Sequence, residues 1–212
     1  MKLPFKLLSA YFLSIVAAIG FGVIALLIGR NKISVFDLSI ISTVQGWENP
    51  ALTTVMERFS WLGTTPVVVF LSIGILIFLA AILGHRKELL LFIAIIGGAP
   101  LLNSVLKSVF RRERPDIHRL AEEASYSFPS GHSMAAFALY GGLIYLLWRH
   151  VTSKAGRVLL VALGSIIVLC IGISRIYLGV HYPSDVIGGY LASGVWLSLS
   201  IGIFQSMGGR RR

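Results

Sequence analysis

The stretch from Ser174 to Asp185 combines residue types that could do chemistry. It places His181 four residues before Asp185, so the two side chains share one face if the chain turns helically there. Pro183 lies between them, and proline is favoured at the first position of a helix, so we expect Asp185 in the first turn of the next helix. A carboxylate on one imidazole nitrogen fixes the tautomer and leaves the other nitrogen free as a nucleophile or base.

Two further clusters point to phosphate as the reacting group. In one, Lys107 is followed after six residues by Arg114 and a proline; the other is Pro129–His132, with the sequence PSGH. Arg175 adds a third cation within the first stretch. Cations can hold a phosphate, backbone amides can bind its oxygens, and one imidazole can attack while another protonates the leaving group. We therefore predict phosphoryl transfer.

These three stretches match the motifs K-x6-RP, PSGH and SR-x5-H-x3-D, and the chain thereby resembles the type 2 phosphatidic acid phosphatase family. The motif region runs from Lys107 to Asp185. Within the family the chain is most similar to the small bacterial phosphatidylglycerophosphatase B enzymes, which overlap with undecaprenyl pyrophosphate phosphatases. The resemblance implies two-step hydrolysis of a lipid phosphate through a phosphohistidine, with no metal and no cofactor.

The resemblance also implies a role for each matching residue. His181 resembles the nucleophile, Asp185 the group that orients it, and His132 the general acid that later activates water. An unperturbed imidazole titrates near neutrality, which suits both duties of His132. The residues implied to bind the phosphate are Lys107, Arg114, Ser130, Gly131 and Arg175.

Each of these residues also has a simpler interpretation. His181 and Asp185 could supply two zinc ligands, although the neighbouring cations disfavour a metal. Ser130 could be a helix cap, a role compatible with phosphate binding. Lysines and arginines at helix ends commonly extend toward the membrane surface, which could explain the three phosphate-binding cations. We prefer juxtamembrane anchoring or headgroup attraction for Arg111, Arg112 and Arg119, and charge balance within the loop for Glu113, Asp116, Glu122 and Glu123.

The composition indicates an integral membrane protein. Of the 212 residues 56% are hydrophobic and only 13% are charged, which is too apolar for an ordinary water-soluble surface. The net charge of +10 does not indicate nucleic-acid binding, because the basic residues punctuate apolar runs and form no basic face. The chain length predicts a single domain over residues 1–212. The one cysteine, Cys170, lies in an apolar run and is expected to be a buried hydrophobic residue.

The apolar runs predict an all-α membrane protein with six transmembrane helices and short interfacial helices in the first long connection. We interpret the first run as a retained span, because it is longer than a typical signal-peptide core and lacks a clear cleavage site. The second of the two long loops, Ser108–Phe128, is the most highly charged. The predicted spans are Leu7–Ile28, Val67–Leu83, Leu89–Leu106, Met134–Trp148, Val158–Ile173 and Val186–Phe204.

The first connection, Arg30–Thr65, is only half polar. Its apolar residues recur at near-helical spacing, which predicts interfacial helices broken at Asn49-Pro50 and at Gly63. The segment could be a lid or a wall along which lipid enters, or a plain linker that lies on the membrane.

With six spans both termini lie on one side, and all the motif residues fall on the other. Basic residues are almost equally numerous on the two sides, but the short connections and the tail carry bases close to span ends with almost no acid. We therefore expect both termini in the cytoplasm of a bacterial cell and the site on the outer face of its plasma membrane. The basic residues that we expect on the cytoplasmic side are Lys2, Lys6, Arg86, Lys87, Arg149, Lys154, Arg157 and Arg210–Arg212.

The motifs do not distinguish between lipid phosphates. Phosphatidylglycerophosphate, which gives phosphatidylglycerol, is the preferred substrate, and undecaprenyl pyrophosphate is the alternative within the class. A lipid or anion transporter is an alternative from another class, since charge within a membrane protein often marks a transport path. The vanadium haloperoxidases share the phosphate motifs, but their soluble scaffolds do not fit these apolar spans. We expect the protein to bind its lipid phosphate substrate and membrane lipids, and we expect neither a nucleic acid nor an obligatory protein as a partner.

Overall fold

The computed structural model of the protein describes residues 5–81 and 86–207, with side chains over 8–81 and 88–207. Within these ranges the regular structure is entirely helical. The helices are α1 (Phe5–Gly29), α2 (Ser34–Gln45), α3 (Pro50–Leu62), α4 (Thr65–Ala81), α5 (Arg86–Phe110), α6 (Gly131–Leu147), α7 (Lys154–Tyr177) and α8 (Pro183–Ser206).

Four of the described helices are long and apolar enough to cross a membrane: Leu8–Gly29, Glu88–Phe110, Lys154–Tyr177 and Pro183–Ser206. Helices α3 and α4 meet at 56° and together could form one broken span, while α6 is a shorter apolar helix of 17 residues. The prediction of an all-helical, multi-pass membrane protein is confirmed. The number of six spans stays a prediction.

Many apolar side chains on these helices are exposed on the outside of the bundle. Phe70 is 75% exposed, Leu101 71% and Phe12 62%. Water would not tolerate such extended apolar helix faces, whereas hydrocarbon solvates them, so they are expected to contact lipid.

Two helices end later than the apolar runs predict. Helix α5 continues to Phe110, so Lys107 lies in its last turn, and Arg111 then takes a left-handed φ of 46°. Helix α7 continues to Tyr177 and carries Arg175 in its last turn. A charged residue ends an apolar run in the sequence, but it does not end a helix while the backbone can still hydrogen-bond along its own axis.

Helix α8 lies at the centre of the bundle and packs against α1, α5, α6 and α7. The close contact with α5 depends on Gly98, where a Cβ atom would lie 2.0 Å from the ring of Trp196. The indole nitrogen of Trp196 donates to the carbonyls of Ala94 and Ile95 at 3.1 and 3.2 Å. A core of Phe92, Ile95, Leu139 and their neighbours fills the space between α4, α5 and α6.

The first connection folds into α2 and α3, and both breaks predicted there are confirmed. Helix α3 starts at Pro50, where the side chain of Asn49 accepts the Leu52 N–H at 2.9 Å, and it ends directly before Gly63. Both helices pack against α7. The position of the segment at a membrane interface stays a prediction.

Part of the orientation argument lies outside the described residues. Lys2, the turn at 82–85 and Arg210–Arg212 are not among them, and the side chains of Lys6, Arg86 and Lys87 are not described either. The placement of both termini in the cytoplasm therefore stays a prediction.

Candidate active site

The turn between α7 and α8 places the histidine and aspartate of the third motif together. Gly179 takes a φ of 72°, and a Cβ atom there would lie 1.9 Å from the carbonyl oxygen of His118, so only glycine fits this turn. Helix α8 begins at Pro183, and Asp185 lies in its first turn as predicted. Nδ1 of His181 lies 3.4 Å from Oδ2 of Asp185, and both side chains are almost fully buried.

The carboxylate of Asp185 is also fixed by the backbone. Its Oδ2 accepts the N–H of Tyr182 at 2.9 Å, so the aspartate caps the N-terminus of its own helix. A negative charge in the first turn is stabilised by the helix dipole. With the carboxylate beside Nδ1, the imidazole is oriented so that Nε2 is the nitrogen that can react.

Arg114 lies on the Nε2 side of the imidazole. One of its terminal nitrogens lies 3.2 Å from Nε2 of His181 and donates to the carbonyl of Val180 at 2.7 Å. The Nε of Arg114 donates to the carbonyl of Ser125 at 2.6 Å, which fixes the guanidinium plane. A phosphate held by this guanidinium would therefore stand next to Nε2.

The environment of His181 favours the neutral imidazole. Burial, followed by the positive charges of Arg114, Arg175 and Lys107, holds the pKa of His181 well below its usual 6.5. A neutral ring keeps the lone pair on Nε2 that a nucleophile needs.

We call the three predicted phosphate-binding cations, Lys107, Arg114 and Arg175, the clamp. Lys107 and Arg175 lie at the same end of the bundle as Arg114. Lys107 donates to the hydroxyl of Ser125 at 2.8 Å, a residue that also contacts Arg114. Arg175 is 3% exposed and donates to the hydroxyl of Ser60 on α3 and, at 2.5 Å, to a carboxylate oxygen of Glu123. Its Nε is the one buried side-chain nitrogen or oxygen in the described part of the chain that has no hydrogen-bond partner.

Helix α6 starts at the PSGH motif. The hydroxyl of Ser130 accepts the N–H of Ser133 at 3.4 Å, which makes Ser130 the N-cap. The N–H of Ser130 donates to the carbonyl of Asp185 at 3.0 Å and so fixes the start of α6 against the start of α8. Gly131 is the first residue of α6, where free backbone N–H groups and the helix dipole attract anions.

His132 lies on the first turn of α6 and is partly exposed. Its Nδ1 is 4.0 Å from Oε1 of Glu123, the carboxylate that also accepts from Arg175.

The structure thus brings all eight predicted site residues to one end of the bundle. They are Lys107, Arg114, Ser130, Gly131, His132, Arg175, His181 and Asp185.

The interpretation of Arg112 as a headgroup-attracting residue is wrong. Only 15% of its side chain is exposed, and it donates to Asp185 Oδ1 at 2.7 Å and to Asp37 Oδ2 at 2.8 Å. A guanidinium that bridges two buried carboxylates is not available to lipid headgroups. By contrast, Arg119 is 41% exposed and pairs with Asp116, its neighbour in the loop, at 3.7 Å.

Sequence reasoning also missed the position of two acidic residues. Glu123 balances charge as expected, but it does so within the clamp, in contact with Arg175 and 3.8 Å from Arg114. Asp37 is completely buried although it lies on α2, far from the motifs in sequence. One signal was present: Asp37 is the sole acidic residue among the first 47 and is flanked by Phe36 and Leu38.

These groups suit the binding and transfer of a phosphate. Arg114 lies beside Nε2 of His181, and Arg175 and Lys107 are close enough to lower the pKa of that imidazole. A second imidazole, that of His132, and the N-terminus of α6 lie at the same end of the bundle. The described residues contain no group of three or more His, Cys, Asp or Glu side chains that could hold a metal ion.

The sequence matches the PAP2 superfamily over residues 88–207, and the chain belongs to this family of phosphatases that act on lipid phosphates. It is 36% identical to phosphatidylglycerophosphatase B of Bacillus subtilis (strain 168) over 178 residues, which cover 80% of this chain and 84% of that protein. The predicted resemblance is thereby confirmed.

A solved structure and a second sequence comparison extend the likeness. The crystal structure of a transmembrane PAP2 type phosphatidylglycerolphosphate phosphatase from Bacillus subtilis superposes with a TM-score of 0.78 at 31% identity and covers 93% of this chain and 98% of that one. YbjG of Escherichia coli (strain K12), named for a proposed undecaprenyl-diphosphatase activity, is 32% identical over 129 residues, which are 58% of this chain and 61% of that protein.

Proposed function

We propose that this protein hydrolyses phosphatidylglycerophosphate to phosphatidylglycerol and phosphate through a phosphohistidine on His181. The arrangement of His181 carries the proposal: a carboxylate stands at Nδ1, and a guanidinium stands 3.2 Å from Nε2. This geometry orients a neutral imidazole toward a bound phosphate.

In the first step Nε2 of His181 attacks phosphorus, and the bond from phosphorus to the lipid oxygen breaks. His132 gives a proton to the departing oxygen, and the lipid leaves as an alcohol. The expectation of an unperturbed imidazole is wrong, because burial and the nearby cations, Arg175 first among them, lower the pKa of His132 to about 2. The ring therefore carries this proton only when the negative charge of the bound phosphate offsets those cations. Asp185 stabilises the positive charge that the imidazole of His181 acquires.

Lys107, Arg114 and Arg175 neutralise the phosphoryl oxygens, together with the backbone N–H of Gly131 at the start of α6. The N–H of Ser130 is already bonded to the carbonyl of Asp185, so Ser130 contributes by capping the helix that presents Gly131.

In the second step water attacks the phosphohistidine. His132, now neutral, takes a proton from this water, the bond from nitrogen to phosphorus breaks, and inorganic phosphate is released. Both steps proceed with amino-acid side chains and water alone, so the proposal requires no metal ion.

The surroundings of the site fit a lipid substrate. An apolar groove of about 300 Å³ lies between α6, α7 and α8, and Phe137 on α6 is one of the residues that line it. An apolar groove of this kind can accommodate the tail of a lipid substrate. The residues that line the groove include Tyr140, Gly164, Val168 and Tyr190.

The likeness to phosphatidylglycerophosphatase B over most of both chains favours phosphatidylglycerophosphate. The likeness to YbjG, which covers a smaller part of each chain, makes undecaprenyl pyrophosphate the second candidate. We further propose that both termini lie in the cytoplasm and that the site opens on the outer face of the bacterial plasma membrane.

The test is phosphate release by the purified, detergent-solubilised protein from both lipids side by side, with EDTA present and His181→Ala as the blank. We expect a higher kcat/KM for phosphatidylglycerophosphate than for undecaprenyl pyrophosphate. Glycerol 3-phosphate, which lacks the tails, should be a poor substrate. The reverse lipid preference would assign the protein to carrier-lipid recycling, and release that stops with EDTA and returns with zinc would overturn the metal-independent mechanism.

A further inference from the structure

Arg112 lies between two carboxylates that are completely buried. One terminal nitrogen of its guanidinium donates to Oδ1 of Asp185 at 2.7 Å, and the other donates to Oδ2 of Asp37 at 2.8 Å. The two aspartates come from α8 and α2, so the arginine connects the first connection with the turn that carries His181.

Ser184 completes this cluster. Its N–H donates to Oδ1 of Asp37 at 2.9 Å, its hydroxyl donates to Oδ2 of the same carboxylate at 2.7 Å, and Arg112 donates to that hydroxyl at 2.8 Å. Asp37 therefore accepts from the first turn of α8 as well as from the arginine. We call Asp37, Arg112 and Ser184 the support cluster.

The support cluster acts on one oxygen of Asp185 and leaves the other for the histidine. Oδ1 pairs with Arg112, while Oδ2 accepts from Tyr182 and faces Nδ1 of His181 at 3.4 Å. With both oxygens fixed, the carboxylate cannot rotate away from the imidazole. The guanidinium also stacks 4.0 Å from the ring centre of Tyr182, which restricts it to this position.

The charges require the arginine. Two ionised carboxylates buried side by side repel each other and are costly to desolvate unless a cation pairs with both. Arg112 can pair with both because its planar fork presents separate N–H groups to each.

We propose that Arg112 and Asp37 are positioning residues, which hold the ionised Asp185 in the orientation that His181 needs during phosphoryl transfer. The inference rests on the proposed function, because it concerns the rate of the same histidine. It assigns α2 a role in the reaction: this helix supplies a buried carboxylate that fixes the catalytic turn from the far side.

A merely structural role would lower stability and leave the rate per folded molecule unchanged, so the test uses kinetics. In Arg112→Met we expect kcat for phosphatidylglycerophosphate to fall about 10-fold to 100-fold, as when the carboxylate partner of a metal-bound histidine is lost, with KM changed less than about threefold. The matched control is Arg111→Met, which removes the adjacent loop arginine, an exposed side chain that donates to the carbonyl of Ser108 in the last turn of α5. This control should keep wild-type kcat.

A double-mutant cycle with Asp185→Asn identifies the route of the effect. If Arg112 acts through Asp185, then adding Arg112→Met to Asp185→Asn should lower kcat less than about threefold further, since the partner is already lost. If the fold loss in kcat of the double variant equalled the product of the two single losses, Arg112 would act independently of Asp185, and the positioning role would be overturned. A kcat for Arg112→Met equal to that of Arg111→Met would overturn it as well.

Two further measurements keep the outcomes distinct. Gel filtration and the unfolding temperature in detergent report folding, and if Arg112→Met does not fold, then Asp37→Asn, which keeps the shape and removes the charge, enters the same cycle with the same expectation. Wild-type protein that releases no phosphate from lipid phosphates would overturn the proposed function and the positioning role together. Active wild type with unaffected Arg112→Met and Asp37→Asn would overturn the positioning role alone.

Discussion

Arg114 and His181 face each other across 3.2 Å, measured from a terminal guanidinium nitrogen to Nε2 of the imidazole. The same nitrogen of Arg114 donates to the carbonyl of Val180, directly before the histidine. The backbone of the turn between α7 and α8 thus fixes the cation next to Nε2. A phosphate bound by Arg114 would have little freedom in its distance from Nε2.

Arg114→Lys should impair the enzyme although it keeps the positive charge. An ammonium group cannot present a planar fork to Val180, Ser125 and a phosphate together, so we expect kcat/KM to fall about tenfold or more. Steady-state kinetics on phosphatidylglycerophosphate would measure it. Arg119→Lys is the matched control, since Arg119 pairs with Asp116 in the loop and should tolerate the change. Equal kinetics for the two variants would contradict this role of Arg114.

Trapping of the phosphoenzyme should distinguish the role of His181 from that of His132. His181→Ala should lose phosphate release on the order of 10³-fold or more, as expected for removal of a nucleophile. His132→Ala should still react with p-nitrophenyl phosphate, whose leaving group needs no general acid, but its phosphoenzyme should persist. Acid-labile, alkali-stable label on His132→Ala and none on His181→Ala is the expected result. Label retained by His181→Ala would assign the nucleophile to another residue.

Glu123→Gln should strengthen inhibition by inorganic phosphate. The carboxylate of Glu123 contacts Arg175 and lies 3.8 Å from Arg114, so it shares two cations with any phosphate that binds there. Removing a like charge from an anion site favours the anion, and we expect the inhibition constant of phosphate to fall about threefold or more. Glu122→Gln is the control, because Glu122 is exposed in the same loop. An unchanged or raised constant for Glu123→Gln would show that the carboxylate does not compete with phosphate.

The buried His181 should make the protein sensitive to mild acid. Its pKa is held well below the usual 6.5, mainly by burial, so the unfolded chain binds this proton more readily than the folded protein. The contribution of His181 to the free energy of unfolding is therefore fully present above about pH 7. It is lost as the pH falls through 6.5 toward the lower pKa that His181 has in the folded protein. Unfolding temperatures of wild type and His181→Gln between pH 8 and pH 5 would measure it. As the pH is lowered, the unfolding temperature of the wild type should fall further than that of the variant. Parallel curves of unfolding temperature against pH would contradict the prediction.

The local features of the site follow from short stretches of sequence. Pro183 and Asp185 specify the start of α8, Ser130 specifies the start of α6, and Asn49 with Pro50 specifies the start of α3. These signals depend on neighbours within one helical turn, which is why they could be predicted. The apolar runs similarly located the membrane helices, although α5 and α7 extend beyond the runs because a helix can continue through a charged residue.

Only the tertiary structure decided the partners of the buried charges. Arg112 has the same local context as its neighbour Arg111, yet it bridges Asp185 and Asp37, which lie 73 and 75 residues away. Arg175 finds the hydroxyl of Ser60 across 115 residues. Hydropathy and helix capping are properties of consecutive residues, whereas an ion pair between helices depends on how the helices pack. The sequence by itself therefore determined the family, the helical class of the fold and the residues that we propose to react, and packing alone determined which charges hold those residues in place.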